Sequence, residues 1–465
     1  MPLSQRKDSI SLTYAVGIVA GGIIGSGIFM TPGGILSSTG SFGMSMVVWI
    51  VASVNSFLSA LCYAELALLL KESGAEYIFA RHAYGEMVAY LVIMSEALVT
   101  QPGSLVLMTY AFSGYFVELL QPGCQSPDFL TKTIAAIAVL ILMVVHVFSI
   151  KLSLVIQQTT FYIKIGTLAI ISIVGILQLI DGQTDNFIKP FAGSTSNFLD
   201  YGTALVGGLY SYNGWYLITS VTEEVKNPKK NIPLCMLISL GLVTIVYLFV
   251  NIAYATVLTI PEIKNSDSVA SDFAYQTLGS YGWLITLGVV FSTFGAANSI
   301  LISISRSINV AGRYGHFPRI ASYTGISSRT PVLAVIVTAM ITLLYFTIPG
   351  SSFSDILNYF SVVKWTVKTV GVFAVVMLRF IEPYSKQKRT FQVPLFVPII
   401  AGCVNMFTVI CPIISDPDWL YILMYGIIFA TMIIYFAPKT LLKRTSKTLT
   451  VKLQLVFKLT QNKLD

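Results

Sequence analysis

Three lysines of this chain stand inside long apolar runs: Lys164 in "FYIKIGTL", and Lys364 and Lys368 in "SVVKWTVKTV". A charge held at bilayer depth is costly and by default marks a functional site. Two further stretches break the apolar pattern. Gly21 to Gly34 reads "GGIIGSGIFMTPGG", and "ALVGGLYSYNGWYLITSV" carries Tyr212, Asn213 and Gly214 just after Gly207 and Gly208. Each glycine in a helix interior costs about 1 kcal/mol. An interrupted helix exposes N–H groups at one half-helix end, which favour an anion. The carbonyls at the other end favour a cation. A zwitterionic α-amino acid presents both charges. Glycine-rich apolar segments also mark close helix packing, and for one segment alone that reading stays open. Two in matching positions, each with contiguous breakers, point to an inverted-repeat transporter.

The elements that must position these groups are membrane spans. Of 465 residues 55% are hydrophobic and 11% charged, against about 25% charged for a soluble domain. Hydropathy and breaker residues give about twelve spans. The stretches 11–180 and 199–381 are expected to be two repeats within one domain, 11–438, with extra helices over 393–438. Residues 1–10 form a short polar N-terminus, and no cleavage site after the first apolar run suggests a removed leader. Residues 439–465 form a basic tail, expected to be an amphipathic helix on the inner leaflet. Its alternation over Leu449–Leu455 also fits a strand. Basic residues gather at both ends and in the even-numbered loops, whereas the odd-numbered loops hold only Lys132, Lys189 and Lys264. The positive-inside rule then puts both termini in the cytoplasm. Such a tail suits a lipid leaflet rather than nucleic acid.

Little here suggests bond chemistry. Of the three histidines, His82, His146 and His316, none has a neighbour suited to catalysis, and no Cys/His spacing suggests a metal or cofactor. Cys62, Cys235, Cys403 and Cys411 read as small core residues in apolar runs. Cys124 differs, standing in the polar loop "QPGCQSPD".

"GIIGSGIFMTPGG" and "YSYNGWYLITSVTEEVKNPKKNIP" resemble the light subunits of heteromeric amino-acid transporters, in the amino acid–polyamine–organocation superfamily. "CYAELALLLKESGAEYIF", "FSTFGAANS" and "RTPVLAVI" fit the same family, and the likeness runs from about Ser11 to near Gln461. The resemblance implies an all-α, LeuT-type fold: five plus five inverted spans with the first and sixth broken, then two more. It implies sodium-independent exchange of amino acids by alternating access at the plasma membrane. The amides near Ser26 and Gly27 would hold the substrate carboxylate, and carbonyls around Ile23, Tyr210 and Asn213 its ammonium, with Tyr210 capping the site from outside. Lys164 would replace the sodium ion of coupled relatives and brace the first span against the eighth. Snorkelling to the interface is the other reading of Lys164, although it lies about ten residues, roughly 15 Å of helix, into its span. Cys124 would form a disulfide with a single-span glycoprotein heavy chain; no N-x-[ST] acceptor occurs in this sequence.

Departures from the family pattern bear on the substrate. An arginine of the cystine/glutamate branch stands where Lys364 does, and a cation there favours an anionic side chain. Gln101 replaces a usual Arg or Lys, which weakens that preference, and Asn213 replaces an acidic residue of the cystine/dibasic branch, which weakens one for cations. Neutral amino acids remain, with cystine, glutamate or aspartate as possible additions. Lys364 has a second reading, paired with a carboxylate such as Glu96 or Glu65, and Lys368 reads as structural. Tyr314 stands where relatives often have Glu, so a loop salt bridge is expected to be missing. Besides the exchanger, two classes compete: a sensor that binds amino acids without moving them, and a polytopic membrane enzyme.

Overall fold

The computed structural model describes residues 10–122, 127–266, 268–325, 330–347, 353–436 and 459–461. Among the described residues the architecture is helical apart from one short antiparallel pairing, Tyr323–Gly325 with Leu459–Gln461, and a lone parallel bridge between Ile10 and Val225. Nine described helices are long and apolar enough to cross a bilayer, and a tenth crossing is the bent pair Leu12–Ile23 and Gly27–Thr39. The expected sixth and ninth spans fall short of that length. The ninth, Val332–Tyr345, is simply short. The sixth is the helix Phe198–Ser211 followed, beyond a turn, by a 3-10 stretch, Trp215–Glu224.

That 3-10 stretch has a cause in its sequence. Thr219, Ser220 and Thr222 each bond their side-chain hydroxyl to the carbonyl three residues back, at 2.7–2.9 Å. Such back-bonding competes with the regular helical ladder. The stretch is not one straight helix: Val221 (φ −128°, ψ 25°) kinks it, so it is two short 3-10 pieces in succession.

The two breaks differ in the backbone they need. In the first span the chain leaves the helix at Ile24, which is extended (φ −70°, ψ 97°), and the next helix starts at Gly27 with a bend of 44°. In the sixth, Gly214 sits at φ +125°, where a side chain would be strained. The breaks pack on each other. A Cβ at Gly214 would come within 2.7 Å of the Gly22 carbonyl, and one at Gly27 within 2.5 Å of the Ser211 Cα. The glycines therefore serve both readings of the sequence: they interrupt the helices and they let the interruptions touch.

Around this pair the third, eighth and tenth spans form the interior. Within the apolar window of the third (Glu86–Leu120), 83% of residues are buried, and 72% in the eighth (Trp283–Tyr314) and tenth (Asp355–Met377). The twelfth (Trp419–Phe436) has only 22% buried and shows Ile422, Phe429 and Ile433 outward, as a helix facing lipid would. Glycines set the close crossings: Gly288 and Gly295 of the eighth span admit Thr167 and Thr160 of the fifth (Ile150–Ile180). Such contacts hold helices together where no hydrophobic driving force acts.

Ionic contacts close one end of the bundle. Glu65, buried on the second span (Phe42–Leu70), accepts from Arg379 at 2.9 Å and from Arg389 at 2.5 Å. Arg81 of the helix Ala75–Tyr84 pairs with Glu86 at 2.8 Å and lies 3.8 Å from the Tyr314 ring centre. Tyr314 also donates to Glu72 at 3.0 Å, so the loop expected to lack a salt bridge is tied by a cation–π contact and a hydroxyl. Near the N-terminus, the Lys226 amide donates to the Ile10 carbonyl at 2.9 Å. Two cysteine and tail readings change. Cys62, Cys235 and Cys411 are buried, but Cys403 is exposed on the eleventh helix, Phe396–Ser415. Most of the tail lies outside the described residues, as does Cys124; its described part, Leu459–Gln461, is strand and not helix.

Gly27→Ala is expected to force the first and sixth spans apart and to cost about 1–3 kcal/mol, as overpacking does. Gly34→Ala, whose Cβ meets no atom within 4 Å, should leave stability unchanged or raise it slightly by helix propensity. Thermal unfolding midpoints of the two variants in detergent check the pair.

Candidate functional site

Each interruption frees carbonyls that a bilayer cannot hydrate, so each must find a donor. In the first span, Lys164 Nζ donates to the Gly21 carbonyl at 2.9 Å and to that of Ile24 at 2.7 Å. Lys164 is wholly buried, which excludes snorkelling. Both of its bonds go to the first span. The contact with the eighth span comes instead from Ser292, whose hydroxyl donates to the Gly25 carbonyl at 3.3 Å. The bracing expected of one lysine is thus divided between two side chains. The geometric reason is the position of Lys164 directly under the break, where the two freed carbonyls converge.

Tyr247, on the seventh span (Pro228–Val257), ties both breaks together. Its hydroxyl lies 3.3 Å from the Ile23 carbonyl and 3.2 Å from that of Ser211. A single O–H shared between two acceptors holds the interrupted ends at one depth. Sequence reasoning missed this residue, because a tyrosine in an apolar run carries no signal beyond packing.

On the other face of the breaks, Ser26 and Tyr210 share a hydrogen bond of 2.7 Å between their hydroxyls. Thr31 and Ser211 share another at 2.8 Å. The amides of Gly27 and Ile28 open the second half of the span and have no preceding turn to supply acceptors. The Tyr210 carbonyl accepts the Asn213 amide at 3.1 Å. Among the described residues, the buried Asn213 Oδ1 has no hydrogen-bond partner. Ser26, Gly27, Ile23, Tyr210 and Asn213 therefore come together, with Ile23 and Tyr210 each using one carbonyl lone pair already.

Gln101 and Lys364 lie further along. On the third span Gln101, Ser104 and Met108 share one face, spaced three and four apart. Met108 Sδ lies 3.9 Å from the Tyr210 hydroxyl, and its methyl would crowd a Cβ at Gly25. Ser104 Oγ accepts from Lys364 Nζ at 2.9 Å. Gln101 Nε2 donates to Glu96 Oε2 at 2.5 Å. One helix face thus leads from the breaks past Lys364 to Glu96. The pairing of Lys364 with Glu96 or Glu65 is not found: its bond goes to Ser104, and Glu65 is taken by Arg379 and Arg389. Lys368 is ion-paired with Glu76 and lies 3.0 Å from the Tyr216 ring centre, a structural role as expected.

The third helix is itself irregular here. Glu96–Thr100 is π-helical, and the Gln101 amide reaches back to the Glu96 carbonyl. Pro102 has no N–H for the carbonyl of Leu98. That carbonyl accepts the Tyr345 hydroxyl at 2.6 Å instead. Single π-turns of this kind occur frequently at functional sites.

The model of the amino acid permease family matches residues 10–451. The b(0,+)-type amino acid transporter 1 of Mus musculus is 35% identical over 433 residues, which cover 93% of this chain and 88% of the relative. The cystine/glutamate transporter of Homo sapiens is 35% identical over 89% of this chain and 82% of its own length. The large neutral amino acids transporter small subunit 2 of Mus musculus is 33% identical, over 88% and 77% respectively.

Tyr247→Phe is expected to remove a shared donor from two buried carbonyls and to cost about 1–3 kcal/mol. Tyr254→Phe, about two turns along the same helix, removes a buried hydroxyl that has no hydrogen-bond partner among the described residues. It should be neutral or stabilising, since an unpaired buried polar group costs free energy. Paired unfolding midpoints test the role given to Tyr247; equal shifts would refute it.

Proposed function

This chain is a member of the amino acid permease family, and we propose that within it the chain works as a sodium-independent amino-acid exchanger of alternating access. It is a multi-span membrane carrier and not an enzyme. The observation that carries the proposal is the occupation of the first break by Lys164, whose ammonium donates to the Gly21 and Ile24 carbonyls. A fixed cation there performs the work a bound sodium ion would do, so the broken helix is complete without one. The amides opening the helix at Gly27 suit a carboxylate. Free lone pairs around Ile23, Tyr210 and Asn213 suit an ammonium. Gly22 against Gly214 and Gly27 against Ser211 keep the two breaks together. Rocking of the bundle that contains both broken spans against the remaining spans would open the site to one side and then the other.

The side chain of the substrate would point along the face of the third span toward Lys364. Lys364 is buried and bonded to a neutral hydroxyl, so its charge is available to an acidic side chain. Neutral amino acids, with glutamate, aspartate or cystine in addition, form the substrate class. Relatives include a cystine/glutamate transporter and a large neutral amino acids transporter small subunit. By the same likeness the chain is a light subunit whose heavy-chain partner is a single-span glycoprotein joined through Cys124. Both termini would lie on the cytoplasmic side of the plasma membrane. A sensor that binds without transport has no observation in its favour here.

Counterflow in sodium-free proteoliposomes tests this reading. Labelled leucine should enter only when an amino acid is present inside, and adding sodium should change nothing. Saturable binding without flux under any preload would leave the sensor instead. Lys364→Gln should lower glutamate uptake relative to leucine by roughly tenfold or more, the worth of one charge-assisted bond of about 1.5–3 kcal/mol.

A further inference from the structure

Four ionisable side chains meet on the Glu96 side of Lys364: Glu76, Glu96, Lys364 and Lys368, none more than 6% exposed. Glu76 and Lys368 are paired with each other. The other two are opposite charges that do not meet. Lys364 donates to Ser104, and Glu96 accepts from the Gln101 amide through one oxygen only. Its second oxygen, Oε1, is buried with no hydrogen-bond partner among the described residues, and Thr100 Oγ1, at the other end of the same π-turn, is likewise unpartnered. A buried carboxylate with half of its acceptor capacity unused is poorly stabilised. It gains most by taking a proton when nearby positive charge is compensated.

The groups facing Glu96 explain when that happens. The tenth span brings Lys364 and Lys368, and the loop helix Ala75–Tyr84 brings Glu76. The second and sixth spans bring the phenols of Tyr63 and Tyr216. Next to Glu96, Ala97 clusters with apolar Ile304 and Ile308 of the eighth span, and the ninth span's Tyr345 hydroxyl is spent on the Leu98 carbonyl. If Lys364 and Glu96 are both charged with a neutral substrate bound, the cluster sums to zero. An acidic side chain docked on Lys364 adds one negative charge to the same enclosed region, and a net charge moved through a low-dielectric core is costly.

We infer that Glu96 is a proton-binding site coupled to the substrate: an anionic amino acid crosses together with one proton carried on Glu96, and a neutral one crosses with Glu96 ionised. The proton comes from the solution on the loading side and joins the Glu96 carboxylate. It leaves on the far side when the anion departs and Lys364 again stands uncompensated. No bond other than O–H is made or broken. Exchange of an acidic for a neutral amino acid is then electroneutral and moves protons. This rests on the exchanger reading and on Lys364 as the seat of the acidic side chain.

The full-length chain in proteoliposomes loaded with leucine and the pH dye pyranine, with membrane potential clamped, separates the possibilities. External glutamate should acidify the lumen with about one proton per glutamate, and its uptake should not follow the clamped potential. Lowering external pH by about one unit should raise glutamate uptake roughly threefold and leave leucine–leucine exchange unchanged. Glu96→Gln should make glutamate–leucine exchange follow the potential and carry no protons. Glu96→Asp, which keeps an ionisable carboxyl, should restore both.

Wild-type glutamate exchange that follows the potential without lumen acidification would overturn the inference and leave the exchanger reading intact. So would acidification that persists in Glu96→Gln, because glutamate would then be crossing in its own protonated form. Leucine exchange that runs while glutamate is not carried would also overturn it. Absence of leucine counterflow altogether would instead remove the exchanger reading beneath it.

Discussion

Hydrocarbon offers no hydrogen bonds, and that constraint governs the centre of this molecule. Two helices are interrupted at mid-depth, and every carbonyl the interruptions release must be met by the protein. Four carbonyls of the first break are met by side chains: two by Lys164, one by Tyr247 and one by Ser292. Those side chains come from the fifth, seventh and eighth spans, so the break is held by three separate helices. The interruption is therefore not a weak point. It is the place where most of the bundle is fastened together, and a shift of any of those three helices changes which carbonyls are satisfied.

Permanence is what distinguishes an ammonium from a dissociable ion in that position. A bound cation stabilises a break only while it stays, which ties the conformational cycle to ion concentration. Lys164 cannot leave, so the first break keeps its donors in every state in which the fifth span stays beside it. The burial of the lysine is itself costly, and it is tolerable because two carbonyls point at the ammonium. A consequence is that the energy for net movement must come from the amino acids exchanged, or from another small ion handled elsewhere. The geometry directs attention to the third span, where the π-turn at Glu96–Thr100 presents a carboxylate with only one of its oxygens occupied.

How much of this was legible in the sequence differs by type of feature. Breaks in an apolar helix are readable, because "GSG" and "YNG" violate the run locally and need no knowledge of neighbours. A buried lysine is readable for the same reason. Its partner is not. Lys164 was expected to link the first span with the eighth, yet it serves the first alone, since the depth and rotation of a side chain are set by packing across helices. Tyr247 was invisible because tyrosine is an ordinary packing residue until its hydroxyl finds two acceptors. Cys403 was taken for a core residue, but hydropathy cannot separate a lipid-facing helix side from an inward one when both are apolar. The 3-10 half of the sixth span could have been suspected from its Ser and Thr, whose hydroxyls back-bond to the helix.

Charge placement gives the last step. Buried carboxylates of this chain are not treated alike. Glu65 receives two guanidinium groups and a backbone amide, and Glu76 receives the Lys368 ammonium. Both meet a cation directly, and both join segments of the bundle, where a fixed ionic contact fastens structure. Glu96 and Lys364 lie deeper and are left with neutral partners, an amide and a hydroxyl. If their role were to stabilise the fold, a direct pair would serve far better than two separated charges. Opposite charges kept apart in a dry interior, on a helix face that runs from the broken spans, are suited to interact with something that arrives. On the proposed reading, the separation preserves a cation for an acidic side chain and a carboxylate for the proton that compensates it, whereas the direct ion pairs fasten the bundle.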